Sequence, residues 1–251
     1  MIRTATDRRT WIRAAAWNNA EWCAAVCRTH RRSTGPAAGG GTFADGLWSS
    51  DCTPPPLHPD VVTLDHAATG AQAVGRIELT PATASVKDSF DCLDLTGAGF
   101  SPLFEAQWII RAPDQRPQAA PGWSVVRDTA GLAAWAAAWD GGQGYGEIFR
   151  DGLLVEPDVA LLQARDLDGQ LIAGAVANRS AVVAGVVGLT NVFATDAATG
   201  GLAEAWAGAP AAAAHHWPGL PVVGYEHGED LTAALAQGFD PLGPLSVWIR
   251  W

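Results

Sequence analysis

Tyr225, Glu226 and His227 follow one another at the end of a short apolar run that begins at Pro221. A phenol, a carboxylate and an imidazole are side chains that general acid–base chemistry uses. On a strand they alternate, so Tyr225 and His227 share one face and Glu226 takes the other. Tyr225 can protonate a leaving group, and Glu226 or His227 can accept a proton from a nucleophile. The structural alternative is a buried tyrosine, a solvated glutamate and a surface histidine at a strand end. For His227 that alternative is favoured. For Tyr225 and Glu226 both readings stand, because strand ends and loops beside a cleft carry function disproportionately. Asn191 interrupts a mostly apolar run. A buried amide there needs partners, in the core or on a ligand.

Other reactive residues point to structure rather than chemistry. Cys23, Cys27 and His30 have the i, i+4, i+7 spacing of one helix face, which a soft metal would accept. Cysteine is among the most buried residue types, so two small core side chains are the preferred reading and no metal site is expected. His215 and His216 fit a helix end, where imidazoles complement the dipole. Lys87 is the single lysine among 16 basic residues. No nucleophile-elbow, phosphate-loop, zinc-ribbon or dinucleotide motif is present.

These residues are positioned by a repeated unit. Gly238-Phe239-Asp240-Pro241-Leu242 has a near copy at Gly99-Phe100-Ser101-Pro102-Leu103, and each copy leads into a strand ending on Trp-Ile, at Trp108-Ile109 and Trp248-Ile249. Ala67-Ala68-Thr69-Gly70 and Ala197-Ala198-Thr199-Gly200 form a second matching pair. A repeated supersecondary unit implies two related α/β halves. We expect a half over 1–112, a Pro-rich linker over 113–122 (Pro113, Pro117 and Pro121), and a second domain over 123–251. In the first half, helices are expected over Thr10–Thr29, Ala67–Leu79 and Ser89–Thr96, with Arg31–Gly41 a connector. The second half reads β-α-β-β-β-α-β-α-β. Its first helix carries Leu132, Trp135, Ala136 and Trp139 at i, i+3, i+4 and i+7. Thr199 is the expected cap of the helix running towards His216, which Pro210 should kink or split. Val182–Phe193 is a long strand.

Composition sets the outer bounds. The chain has 251 residues, 48% of them apolar, enough for a sizeable core. A net charge of −10 argues against nucleic-acid or anionic-membrane partners. No apolar run is long enough to span a bilayer. Met1–Arg13 lacks the apolar core of a secretory leader, so a cytoplasmic protein with four reduced thiols is expected.

The element order of Trp123–Trp251, with Gly-Phe after the last helix, resembles the GNAT superfamily of N-acetyltransferases, and Phe43–Arg111 resembles the later part of the same fold. The resemblance implies an α/β (α+β) architecture: a mixed, mostly antiparallel sheet flanked by helices, in two related halves. It implies a V-shaped parting of the fourth and fifth strands. The arm of acetyl-CoA would run along Thr190, Asn191, Val192 and Phe193, and its diphosphate would meet Thr199, Gly200 and Gly201. Tyr225 and Glu226 would stand at the reaction centre. The implied activity is acyl transfer from acyl-CoA to a small amine, in a protein that could form a homodimer. The loop Thr195–Gly201 lacks the family's arginine, and Ala234 stands where the family often carries a tyrosine acid. The alternative is therefore a non-catalytic module of the same fold that binds a small molecule or a protein partner.

Overall fold

The computed structural model describes residues 5–30, 40–77, 83–113, 120–180, 182 and 185–251. Most of the expected connector (31–39) and linker (114–119), and the end of the helix expected over Ala67–Leu79, lie outside them. The chain forms two compact units, Ile109–Pro241 and Ile2–Trp108 with Leu242–Trp251. The last ten residues therefore belong with the N-terminal segment, a division that differs from the sequence segmentation at 123–251. Backbone pairing explains the difference.

The unit built on the N-terminal segment opens with helix α1 (Ala5–His30). Asp7 in its first turn and Arg28 and His30 in its last complement the helix dipole. Its alanines Ala14, Ala15, Ala16, Ala20, Ala24 and Ala25 are buried. Strands β1 (Thr42–Ala44) and β2 (Leu47–Ser49) form a hairpin. Asp45 and Gly46 turn it with φ of 54° and 73°, the left-handed pair that a two-residue turn requires. The sequence reading missed β1. Next come β3 (Val61–Thr63), helix α2 (Gly70–Gly75), β4 (Ala84–Asp88) and β5 (Ser101–Arg111). β2 and β3 are antiparallel, and β3 and β4 are parallel. The terminal strand β11 (Asp240–Arg250) runs antiparallel to β4, from Ser246 opposite Asp88 to Arg250 opposite Ala84.

The helix expected over Ser89–Thr96 does not form. The buried Asp88 carboxylate accepts hydrogen bonds from the amides of Cys92 and Leu93 at 2.7 Å each and of Phe90 at 3.2 Å. Such local side-chain bonds compete with the helical pattern. A single 3-10 turn, Thr96–Ala98, follows instead. Lys87 is buried and donates to the Asn19 side chain at 2.8 Å.

The other unit contains β6 (Trp123–Val125), α3 (Thr129–Asp140), β7 (Val159–Arg165), β8 (Leu171–Ser180), β9 (Val186–Ala194), α4 (Gly201–His216), β10 (Val222–Glu226) and α5 (Gly228–Ala236). Its strand order is β10-β9-β8-β7-β6. The β9–β10 pair is parallel, and the pairs from β9 through β6 are antiparallel. Trp206, Leu162, Val187, Leu189, Val222 and Phe239 form its core. Asp128 caps α3 by accepting from the Gly131 amide at 2.7 Å. Two 3-10 turns, Gly146–Ile148 and Asp151–Val155, occupy the stretch with no regular helix. Pro210 sits inside α4 without dividing it.

The Gly-Phe repeat has the same geometry in both places. Gly99 and Gly238 have φ of 80° and 83°. Gly99 N–H donates to the Thr96 carbonyl and Phe100 N–H to the Leu95 carbonyl; Gly238 and Phe239 donate to Leu235 and Ala234 in the same pattern. These paired bonds are the Schellman C-terminal motif, with the Phe as the apolar residue that follows. Phe100 and Phe239 are both buried, each in its own unit's core and each one residue before an 11-residue strand.

Candidate functional site

β9 and β10 are both rich in β-branched residues and pair in parallel at Val187–Val222 and Gly188–Val223. One step further, a Cβ on Gly224 would lie 2.7 Å from the Leu189 carbonyl oxygen. Only glycine permits that approach. Beyond it no ladder joins the two strands, although β9 continues to Ala194 and β10 to Glu226. Continuing the parallel register puts Tyr225 level with Thr190 and Glu226 level with Asn191.

On its other side β9 stays paired with β8, but the register shifts. Val176 faces Thr190 and Gly174 faces Phe193, so Asn191 and Val192 together oppose the single residue Ala175. Asn191 has φ of 53°. This is a β-bulge with an asparagine in the left-handed conformation that asparagine tolerates best after glycine. The bulge re-aims the backbone of Asn191 and Val192 on the strand edge facing away from β8. Phe193 beyond it is locked edge-on against Trp135, with ring centroids 5.1 Å apart. A Cβ on Gly174 would collide with both rings. The sequence reading singled out Asn191 for its polar type. Its role is that of the residue that makes the bulge.

The chain then turns through Thr195–Gly200 into α4. Thr195 N–H donates to Ile172, Ala198 N–H to Thr195, and Gly201 N–H to Ala198. Gly200 is the cap residue, and Thr199 makes no capping bond. That corrects the expectation that Thr199 caps this helix; its counterpart Thr69 does cap α2, in a reciprocal capping box with Gln72. Gly201 has φ of 56°, and Asp196 is exposed.

One residue was missed from sequence. A Cβ on Gly200 would lie 2.2 Å from Glu204 Oε2. The Glu204 carboxylate folds back over the start of α4, where the helix dipole favours an anion. Its place in the first helical turn was the available signal. Trp206 Nε1 donates to Asp230 Oδ1 at 2.9 Å and ties α4 to α5, and Phe239 meets Trp206 edge-on at 5.7 Å.

The N-terminal thiols form no such arrangement. Cys23 and Cys27 are buried, and desolvation pushes their pKa values up to about 11 and about 12. Both stay protonated. Among the described residues no helix is long and apolar enough to cross a membrane.

No protein-family model matches this chain. No curated protein matches it either. Solved structures do. A GCN5-related N-acetyltransferase from Kribbella flavida aligns over 94% of this chain and 95% of its own, with a TM-score of 0.59 at 18% identity. A putative acetyltransferase of the GNAT family from Novosphingobium aromaticivorans aligns over 93% and 97%, with a TM-score of 0.57 at 12% identity. Saccharomyces cerevisiae N-myristoyltransferase with bound myristoyl-CoA aligns over 67% of this chain and 52% of its own, with a TM-score of 0.50 at 11% identity. The chain has the GNAT fold, as the element order of Trp123–Trp251 with its Gly-Phe implied.

Proposed function

We propose that this chain is an acyl-CoA-dependent N-acyltransferase acting on a small amine, with acetyl-CoA as the donor to test first. The observation that carries the reading is the end of the β9–β10 ladder at Gly188 and Val223, followed closely by the bulge at Asn191. Backbone groups of Thr190–Phe193 on that edge suit the amide-bearing arm of the coenzyme. The thioester supplies an activated carbonyl. In the transfer, the amine nitrogen bonds to that carbonyl carbon, the carbon–sulfur bond breaks, and the amine proton and the thiolate charge must both be accommodated. With the thioester in the plane of the sheet between β9 and β10, Tyr225 donates a proton to the leaving sulfur from one face and Glu226 accepts the proton lost by the amine from the other. Thr199, Gly200 and Gly201 border the position for the diphosphate.

A second reading rests on Glu204. Its carboxylate covers Gly200, and two anions do not share one helix start. A module that has given up the coenzyme would look this way. Glu204→Gln separates the two. On the enzyme reading the variant binds acetyl-CoA several-fold more tightly by calorimetry, and Asp196→Asn acts in the same direction. Absence of heat from wild type and both variants at millimolar acetyl-CoA and at millimolar long-chain acyl-CoA would overturn the enzyme reading in favour of the non-catalytic one.

A further inference from the structure

The unit formed by Ile2–Trp108 and Leu242–Trp251 contains a cleft of about 500 Å³, in the size range of small-molecule sites. It lies among α1, the β1–β2 hairpin and the segment from Leu64 to Gln72. One wall is the stacked pair Trp17 and Phe43, with ring centroids 5.3 Å apart and planes 24° from parallel. Arg13 stands one helical turn before Trp17 and also lines the cleft.

The charges of the cleft are unevenly committed. Asp45 pairs tightly with Arg76. Asp65 accepts the Ala67 amide at 2.9 Å through Oδ1. Arg13 approaches only the other oxygen of Asp65, at 3.8 Å, with its side chain 55% exposed. That separation is outside hydrogen-bond range, and an exposed pair of this kind contributes little. Gln72 Oε1 accepts from both the amide and the hydroxyl of Thr69 at 2.9 Å, which assigns its NH₂ group to the other side. The cleft thus offers a flat aromatic wall and a guanidinium whose fork is not hydrogen-bonded to any described residue.

We propose that this cleft binds a planar aromatic carboxylate. The ring extends the Trp17–Phe43 stack, and the carboxylate takes the Arg13 fork in place of its loose contact with Asp65. A coenzyme diphosphate is a poor fit, although Ala67–Gly70 is the copy of Ala197–Gly200. The Ala67 amide is taken by Asp65 and the Gln72 amide by Thr69, at 2.9 Å and 3.3 Å. This site is independent of acyl transfer in the other unit.

Calorimetry with 2-naphthoate tests the assignment, with 2-naphthamide, cyclohexanecarboxylate and acetyl-CoA as comparisons. The expected result is saturable naphthoate binding, weakened about tenfold or more by loss of the charge, loss of the ring, or Arg13→Gln, as for loss of a charge-assisted bidentate pair. Arg13→Lys should bind between Arg13→Gln and wild type, since lysine keeps the charge without the fork. Arg13 is exposed, so its variants should fold, and circular dichroism verifies this. The proposal is overturned if naphthoate gives no heat at millimolar concentration, if the amide binds equally well, if Arg13→Gln has no effect, or if acetyl-CoA displaces naphthoate in Glu204→Gln and wild type alike.

Discussion

Replacing Asn191 with valine tests the feature on which the acyltransferase reading depends. Asn191 holds φ of 53° within β9, and a β-branched residue is strongly disfavoured there. The chain has two ways to respond. It can keep the bulge with valine in the left-handed region, at a cost of about 1–2 kcal/mol. Alternatively it can flatten the bulge. Val192, Phe193 and Ala194 then shift by one residue along β8, and each side chain changes face. Phe193 is 9% exposed and packs edge-on against Trp135 at 5.1 Å. Displacing it forfeits about 1.5–3 kcal/mol of burial and about 0.5–1.5 kcal/mol of ring pairing. The strained bulge is the cheaper outcome, so the expected loss is about 1–2 kcal/mol. For a chain of this size that lowers Tm by about 2–8 °C. Asn191→Gly accepts the same φ freely and should stay within about 1 kcal/mol of wild type. Thermal unfolding followed by circular dichroism orders the three proteins. A valine variant that melts with wild type, or a glycine variant that melts below the valine one, would refute the left-handed bulge.

Gly99→Ala and Gly238→Ala should each cost about 1–2 kcal/mol in a urea titration and by similar amounts, because both sites combine positive φ with room for a methyl group; a difference of more than about 1 kcal/mol between them would contradict the shared motif. Asp88→Asn leaves one of the Asp88 oxygens unable to accept its amide donors and should destabilise by about 1.5–3 kcal/mol, which denaturant unfolding measures; a neutral outcome would mean the loop at 89–93 is held otherwise. Burial lowers the His58 pKa from 6.5 to about 4. The folded state therefore resists protonation that the unfolded chain accepts, so His58 stabilises the fold above pH 6.5, and that contribution falls between about pH 6.5 and 4 with a slope approaching about 1 kcal/mol per pH unit. His58→Gln should flatten stability in that window; an unchanged slope would place the titration elsewhere.

The sequence by itself determined the local devices. Gly99-Phe100 and Gly238-Phe239 end their turns as glycine followed by a large apolar residue must when backbone carbonyls need partners. The apolar spacing around Trp135 set the buried face of α3, because it depends on neighbours within a few residues. The GNAT-like fold class was legible in the order of elements over Trp123–Trp251 with Gly-Phe after the last helix. Ser89–Thr96 was misread because helix propensity there loses to one carboxylate, Asp88, that takes three amides. The hairpin turn at Asp45-Gly46 was written in the sequence and overlooked. The tertiary structure alone decided the rest. Nothing near Leu242–Trp251 in the chain marks Ala84–Asp88 as its ladder partner, because strand pairing is a long-range choice made by backbone groups that every residue carries. The same holds for the candidate site. Its geometry rests on Gly224 meeting the Leu189 carbonyl, Asn191 bulging against Ala175, and Glu204 folding onto Gly200. The first two are meetings between strands, and the third is a side-chain fold that only the structure specifies, so residue types could nominate Asn191 and the glycines but only packing could give them their roles.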